Sequence, residues 1–119
     1  MHLLIGGAWQ GKRDYAIQQF ELAEDEICSC TAERVPDWSK RCFDQYEQYI
    51  RFCADTGTKP NLRFTAENVV IFQDIFCGVV SVDPKEREWR ELAGRTLTAL
   101  AAQADSVTRI FCGLPVKMK

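Results

Sequence analysis

A chain of 119 residues, 46% hydrophobic and 27% charged, has room for one domain and one core. The formal net charge of −2 gives none of the basic footprint that nucleic acid demands, and no run approaches the roughly 18 apolar residues of a membrane span. Neither a nucleic-acid partner nor a membrane is therefore expected, and residues 1–119 are read as a single unit. The amino terminus lacks the basic region and apolar length of a signal peptide, so the expected location is cytoplasmic and the six cysteines are expected as free thiols. Cys28-Ser29-Cys30 is C-x-C rather than C-x-x-C and the other cysteines stand singly, so metal ligation is not expected of them.

In chain order, the apolar run Leu3-Leu4-Ile5 leads directly into Gly6-Gly7-Ala8-Trp9-Gln10-Gly11-Lys12, which fits seven positions of the phosphate-binding loop G-x-x-x-x-G-K-[ST]. Glycines let successive backbone N–H groups curl around an anion, Lys12 supplies a mobile positive charge, and a helix from about Lys12 through Phe20 aims its N-terminal dipole at the same place. The candidate binding residues are therefore Gly6, Gly7, Ala8, Trp9, Gln10, Gly11, Lys12 and Arg13. Arg13 occupies the position of the hydroxyl that would hold magnesium. The alternative is an ordinary strand-to-helix turn.

An acidic stretch, Glu21 to Glu26, precedes Ile27 to Cys30, which is too short to assign, a weak strand being one reading. Asp37 reads as the N-cap of a helix carrying Trp38, Cys42, Tyr46, Tyr49 or Ile50, and Cys53 at helical spacing, closed by Gly57. Its aromatic stripe, Trp38, Phe43, Tyr46, Tyr49 and Phe52, reads as core packing or partner contact, the alternative being a ligand wall. Thr58 to Leu62 is a loop. Asn68 to Asp74 is a continuously apolar strand, as expected of a parallel strand buried on both faces, and it ends on a carboxylate. Asp74 is the candidate metal-holding and catalytic acid, the alternative being an ordinary loop-facing aspartate. Asp83-Pro84-Lys85-Glu86 opens a helix that runs to about Gln103, Val107 to Cys112 is the last strand, and Gly113-Leu114-Pro115 turns into a basic tail. The order strand, helix, helix, strand, helix, strand predicts an α/β domain with a small, mainly parallel sheet.

Three stretches in the same order resemble the adenosylcobinamide kinase/adenosylcobinamide-phosphate guanylyltransferases of cobalamin biosynthesis. Leu4 to Arg13 resembles that family's phosphate loop, with its Gly-Gly-Ala start. Gln73-Asp74-Ile75-Phe76-Cys77-Gly78-Val79-Val80-Ser81 resembles its Asn-Glu-Val-Gly-x-Gly-Ile-Val-Pro, followed by a helix matching Trp89 to Arg95 and Ala104 to Val107. Cys112-Gly113-Leu114-Pro115 through Lys119 resembles its closing segment. The resemblance implies a phosphate-loop NTPase-like three-layer fold, a homo-oligomer, ATP or GTP with Mg2+, and transfer of the γ-phosphoryl to the aminopropanol hydroxyl of adenosylcobinamide. Lys12 and Asp74 would be catalytic and Asp74 would hold the metal.

Arg13, Phe76 and Ser81 depart from the family pattern, and the stretch from Glu21 to Glu67 matches nothing in it. The family's guanylylated histidine is missing. His2, the one histidine, precedes the first strand, so guanylyltransferase activity is expected to be lost. The alternatives are a nucleotide-binding or regulatory subunit without turnover and a generic small-molecule kinase.

Overall fold

The structure, a computed structural model, describes residues 1–75 and 82–119. Six strands form one sheet in the order β2-β3-β4-β1-β5-β6, where β1 is His2–Gly6, β2 Ile27–Ser29, β3 Cys42–Asp44, β4 Val69–Gln73, β5 Ser106–Phe111 and β6 Leu114–Lys117. All neighbours run parallel except β5 and β6, which form an antiparallel hairpin. Three α-helices lie among the described residues: α1 (Lys12–Phe20), α2 (Tyr46–Thr56) and α3 (Pro84–Gln103). The fold is thus α/β with a mostly parallel sheet, as the element order predicts.

Strand alternation sorts the core into two layers. On one face Leu4, Cys42, Val69 and Ile71 pack against Ala16, with Tyr15, Ile17 and Phe20 of α1 beside them. On the other, Leu3, Phe43, Val70, Phe72 and Val107 pack against Tyr46, Tyr49 and Ile50 of α2 and Trp89, Ala93 and Leu100 of α3. The central strands are apolar on both faces because both are covered. Helix α3 begins as its sequence dictates: Asp83 caps the Lys85 amide at 3.0 Å and Pro84 occupies the first turn.

The helix predicted from Asp37 is corrected. The Asp37 carboxylate accepts from the Ser39 amide and hydroxyl at 3.0 and 2.6 Å, and the Lys40 amide closes the turn on the Asp37 carbonyl. An aspartate that satisfies its own local turn has no helix to cap. Cys42 and Phe43 then pair with both β2 and β4, each buried on a different face, so sheet burial overrides a spacing that fits a helix. Helix α2 starts only at Tyr46 and ends, as expected, on Gly57 at φ 73°.

The basic tail is also more ordered than expected. Cys112 and Gly113, at φ 51° and 75°, make a two-residue turn of the kind that suits a right-twisted hairpin, and residues 114–117 return as β6.

The stretch Ile27–Ser29 is a strand; of the aromatic stripe, Phe43, Tyr46 and Tyr49 are core, Phe52 is partly buried against them, and Trp38 is exposed at the surface of the cluster, while the Tyr46 hydroxyl donates to the Asn61 carbonyl at 2.6 Å. Cys28, Cys30, Cys42, Cys53 and Cys112 are free thiols, and burial pushes the Cys42 thiol up to about 12. Phe76, Cys77, Gly78, Val79, Val80 and Ser81, which carry part of the family resemblance, lie outside the described residues. Among the described residues no helix is long and apolar enough to cross a membrane.

Candidate functional site

The site begins where β1 ends. A Cβ on Gly6 would stand 2.6 Å from the backbone oxygen of Ile110, so only glycine lets β1 and β5 approach there. The chain then leaves the sheet, passes Trp9 at φ 61° with its ring fully exposed, and enters α1 through Gly11 at φ 86°. Gly11 stands at the N-cap and has no side chain with which to cap that helix end, and its carbonyl takes the first helical bond from Tyr15 at 3.0 Å. The unclosed first-turn amides of α1 thus sit at the edge of the sheet.

The tip of the β5–β6 hairpin holds the loop from the other side. The Cys112 amide donates to Gln10 Oε1 at 2.6 Å and the Gly113 amide to the Gln10 carbonyl at 2.8 Å. Inside the curl, Lys12 Nζ donates to the Gly7 carbonyl at 2.6 Å. Burial lowers the Lys12 pKa, against the pull of Glu47 and Asp44 in the opposite direction.

A cleft of about 400 Å3 opens over this loop. Ala8, Trp9, Gln10, Gly11, Lys12, Arg13 and Asp14 line it from the loop and the start of α1; Asp44, Gln45, Glu47, Ile71 and Gln73 line it from the strand ends and α2. Gly6 and Gly7 do not line it. Six of the eight residues expected from the loop therefore share one wall.

Arg13 faces carboxylates. Its Nη1 donates to Asp44 Oδ2 at 3.0 Å and to Ser29 Oγ at 3.2 Å, and Nη2 donates to Glu24 Oε2 at 3.1 Å. The bond to Asp44 raises the guanidinium's already high pKa. Asp44 points into the cleft because it lies two residues beyond Cys42, on the α1 face of the sheet.

Asp74 does not reach this cleft. Gln73 follows Ile71 on the α1 face, and the next residue falls on the opposite one. Asp74 instead lines a separate cavity of about 240 Å3 with Gly6, Phe72, Leu97 and Arg109, and its amide donates to the Gly6 carbonyl at 2.8 Å. Besides Asp44, two other carboxylates line the cleft: Asp14, exposed on the first turn of α1, and Glu47, 2% exposed, whose Oε1 accepts from the Gln73 amide at 2.9 Å. Burial raises its pKa, against the bonding from Gln73. The Trp89 indole nitrogen donates to the Glu47 carbonyl at 2.8 Å and anchors that turn of α2 on α3.

The sequence reading passed over both Asp44 and Glu47. For Asp44 the signal is a short apolar pair ending on an acid; for Glu47 it is one charge embedded among Tyr46, Tyr49, Ile50 and Cys53.

His2 lies at the far end of β1, bonded through Nδ1 to Ser106 Oγ at 2.7 Å and set against the Phe20 ring at 5.0 Å. No protein-family model matches the chain, and no curated protein matches it.

Proposed function

We propose that the chain is a phosphate-loop NTPase-like protein whose residues 6–13 bind the phosphates of ATP or GTP. In this reading it is an adenosylcobinamide kinase-like protein of cobalamin biosynthesis that phosphorylates the corrinoid's aminopropanol hydroxyl and has lost guanylyl transfer. The observation that carries the reading is the Lys12 ammonium folded over the Gly7 carbonyl, beside an uncapped helix end at the carboxyl edge of the central strand. Ligands of open α/β sheets bind at that edge. A triphosphate would exchange one carbonyl partner of Lys12 for charged oxygens, a stronger kind of hydrogen bond. Cytoplasmic placement and a homo-oligomer go with this reading.

A second reading, a nucleotide-binding or regulatory subunit without turnover, is favoured by Arg13, which engages the Asp44 carboxylate of the cleft. Two measurements separate the readings. Titration with fluorescent ATP and GTP analogues tests binding, and formation of phosphorylated adenosylcobinamide tests turnover. Binding with turnover supports the kinase, binding without turnover supports the subunit, and absence of binding overturns both.

A further inference from the structure

We infer that Arg13 is a built-in cation and that the loop holds a nucleoside triphosphate without calling on a divalent metal. The inference rests on the nucleotide-binding reading above. The family resemblance implies Mg2+, an ion held by oxygen donors: a hydroxyl at the position after Lys12, a carboxylate at the end of a nearby strand, phosphate oxygens and water.

The residues present do not fit that ion. Position 13 is a guanidinium, which carries donors only. Asp74 opens into the other cavity with Arg109. Asp44, the strand-end carboxylate that does face the cleft, has both oxygens engaged: Oδ2 by Arg13 Nη1 at 3.0 Å and Oδ1 by the Gln45 amide at 2.8 Å. Glu47 Oε1 is held by the Gln73 amide, and Ser29 Oγ, the nearby hydroxyl, already accepts from Arg13. The remaining cleft carboxylate, Asp14, lies exposed on the first turn of α1, and among the described residues no group of three or more His, Cys, Asp or Glu side chains gathers into a metal cluster.

A divalent ion at Asp44 would have to displace a guanidinium hydrogen-bonded to a carboxylate whose side chain is only 13% exposed. The displaced Arg13 would then repel the ion from within the same cleft. Arg13 is suited to the substitute role: Asp44, Glu24 and Ser29 engage three of its five N–H groups and fix its plane. The other two can meet a phosphate oxygen beside the Lys12 ammonium.

The test is a titration of the wild-type chain with a fluorescent ATP analogue in excess EDTA and again in MgCl2, repeated with Arg13→Ser and Arg13→Lys. The expected result is a wild-type dissociation constant that agrees within about twofold between the two conditions. Arg13→Ser, which restores the hydroxyl and releases Asp44, should bind weakly in EDTA and about tenfold or more tightly in MgCl2. Arg13→Lys should remain indifferent to the ion.

Wild-type binding that tightens about tenfold with Mg2+ overturns the inference and leaves the nucleotide reading standing. So does an Arg13→Ser chain that binds equally well in both conditions. Absence of wild-type binding in both conditions sinks the nucleotide reading, and the inference with it. The wild-type comparison decides the question even where Arg13→Ser fails to fold.

Discussion

Glu47 offers a way to weigh a buried charge against the bond it makes. Its carboxyl is 2% exposed, accepts from the Gln73 amide at 2.9 Å and has its pKa raised by burial. Glu47→Gln keeps a carbonyl oxygen for Gln73 and removes the charge. Glu47→Ala removes both. In the alanine variant the Gln73 amide at the end of β4 loses its acceptor, a loss of about 1–3 kcal/mol, and the missing aliphatic contact adds about 1 kcal/mol. The expected total is about 2–4 kcal/mol of destabilisation.

The glutamine variant should be at least as stable as the parent at pH 8, with a gain of about 1 kcal/mol, because a buried carboxylate is costly even near a lysine. A carboxyl whose folded pKa is raised contributes stability that is fully present below its unfolded value near 4.5 and is lost as pH rises through the folded value. The gain from Glu47→Gln should therefore shrink as the pH falls from 8 towards 5. Urea unfolding of the three chains at both pH values gives these differences, with the other titrating groups common to all. A glutamine variant destabilised by more than about 1 kcal/mol at pH 8 would refute the reasoning, since it would show that attraction to Lys12 outweighs desolvation.

Lys12→Ala should weaken triphosphate binding by about 1.5–3 kcal/mol, as removal of a charge-assisted bond does, and unchanged affinity in a fluorescence titration would return the loop to a structural turn. Gly6→Ala places a methyl 2.6 Å from the Ile110 carbonyl, so about 1–3 kcal/mol should be lost in thermal or urea unfolding as β1 and β5 separate. No acid-labile label should remain on the chain after incubation with α-labelled GTP, because His2 lies about 10 Å or more of extended strand from the loop. Stoichiometric labelling abolished by His2→Ala would contradict that.

The legible parts of the fold were those with redundant local signals. Pro84 behind an Asp cap, the unbroken apolar run ending at Phe72, and glycines at 6, 7 and 11 before Lys12 each combine propensity, patterning and capping. The strand at Cys42–Asp44 was not legible. Three residues cannot display a period, and the aromatic spacing around them, from Trp38 to Tyr46, imitates a helix. Missing that strand meant missing Asp44, and with it the partner of Arg13. Asp74 illustrates a different limit. The sequence places an acid at a strand end, but which face it takes depends on a single residue of register, and here that register directs Gln73 rather than Asp74 into the cleft. The hairpin was obscured because Pro115 and Lys117 suit an exposed tail as well as they suit an edge strand, where both serve to discourage further pairing.

The grip of the hairpin on Gln10 has a kinetic consequence. The bond from the Cys112 amide to Gln10 spans 102 positions, and β1 finds its partners in β4 and β5, the nearer of which begins at Val69. Local propensity can start α1 early and Lys12 reaches back to the Gly7 carbonyl, yet among the described residues the bonds that pin Gln10 come from the hairpin alone. Those bonds need the most distant strand pairing in the sheet, so the loop is expected to reach its final geometry late, behind the slow search that separations of this size impose.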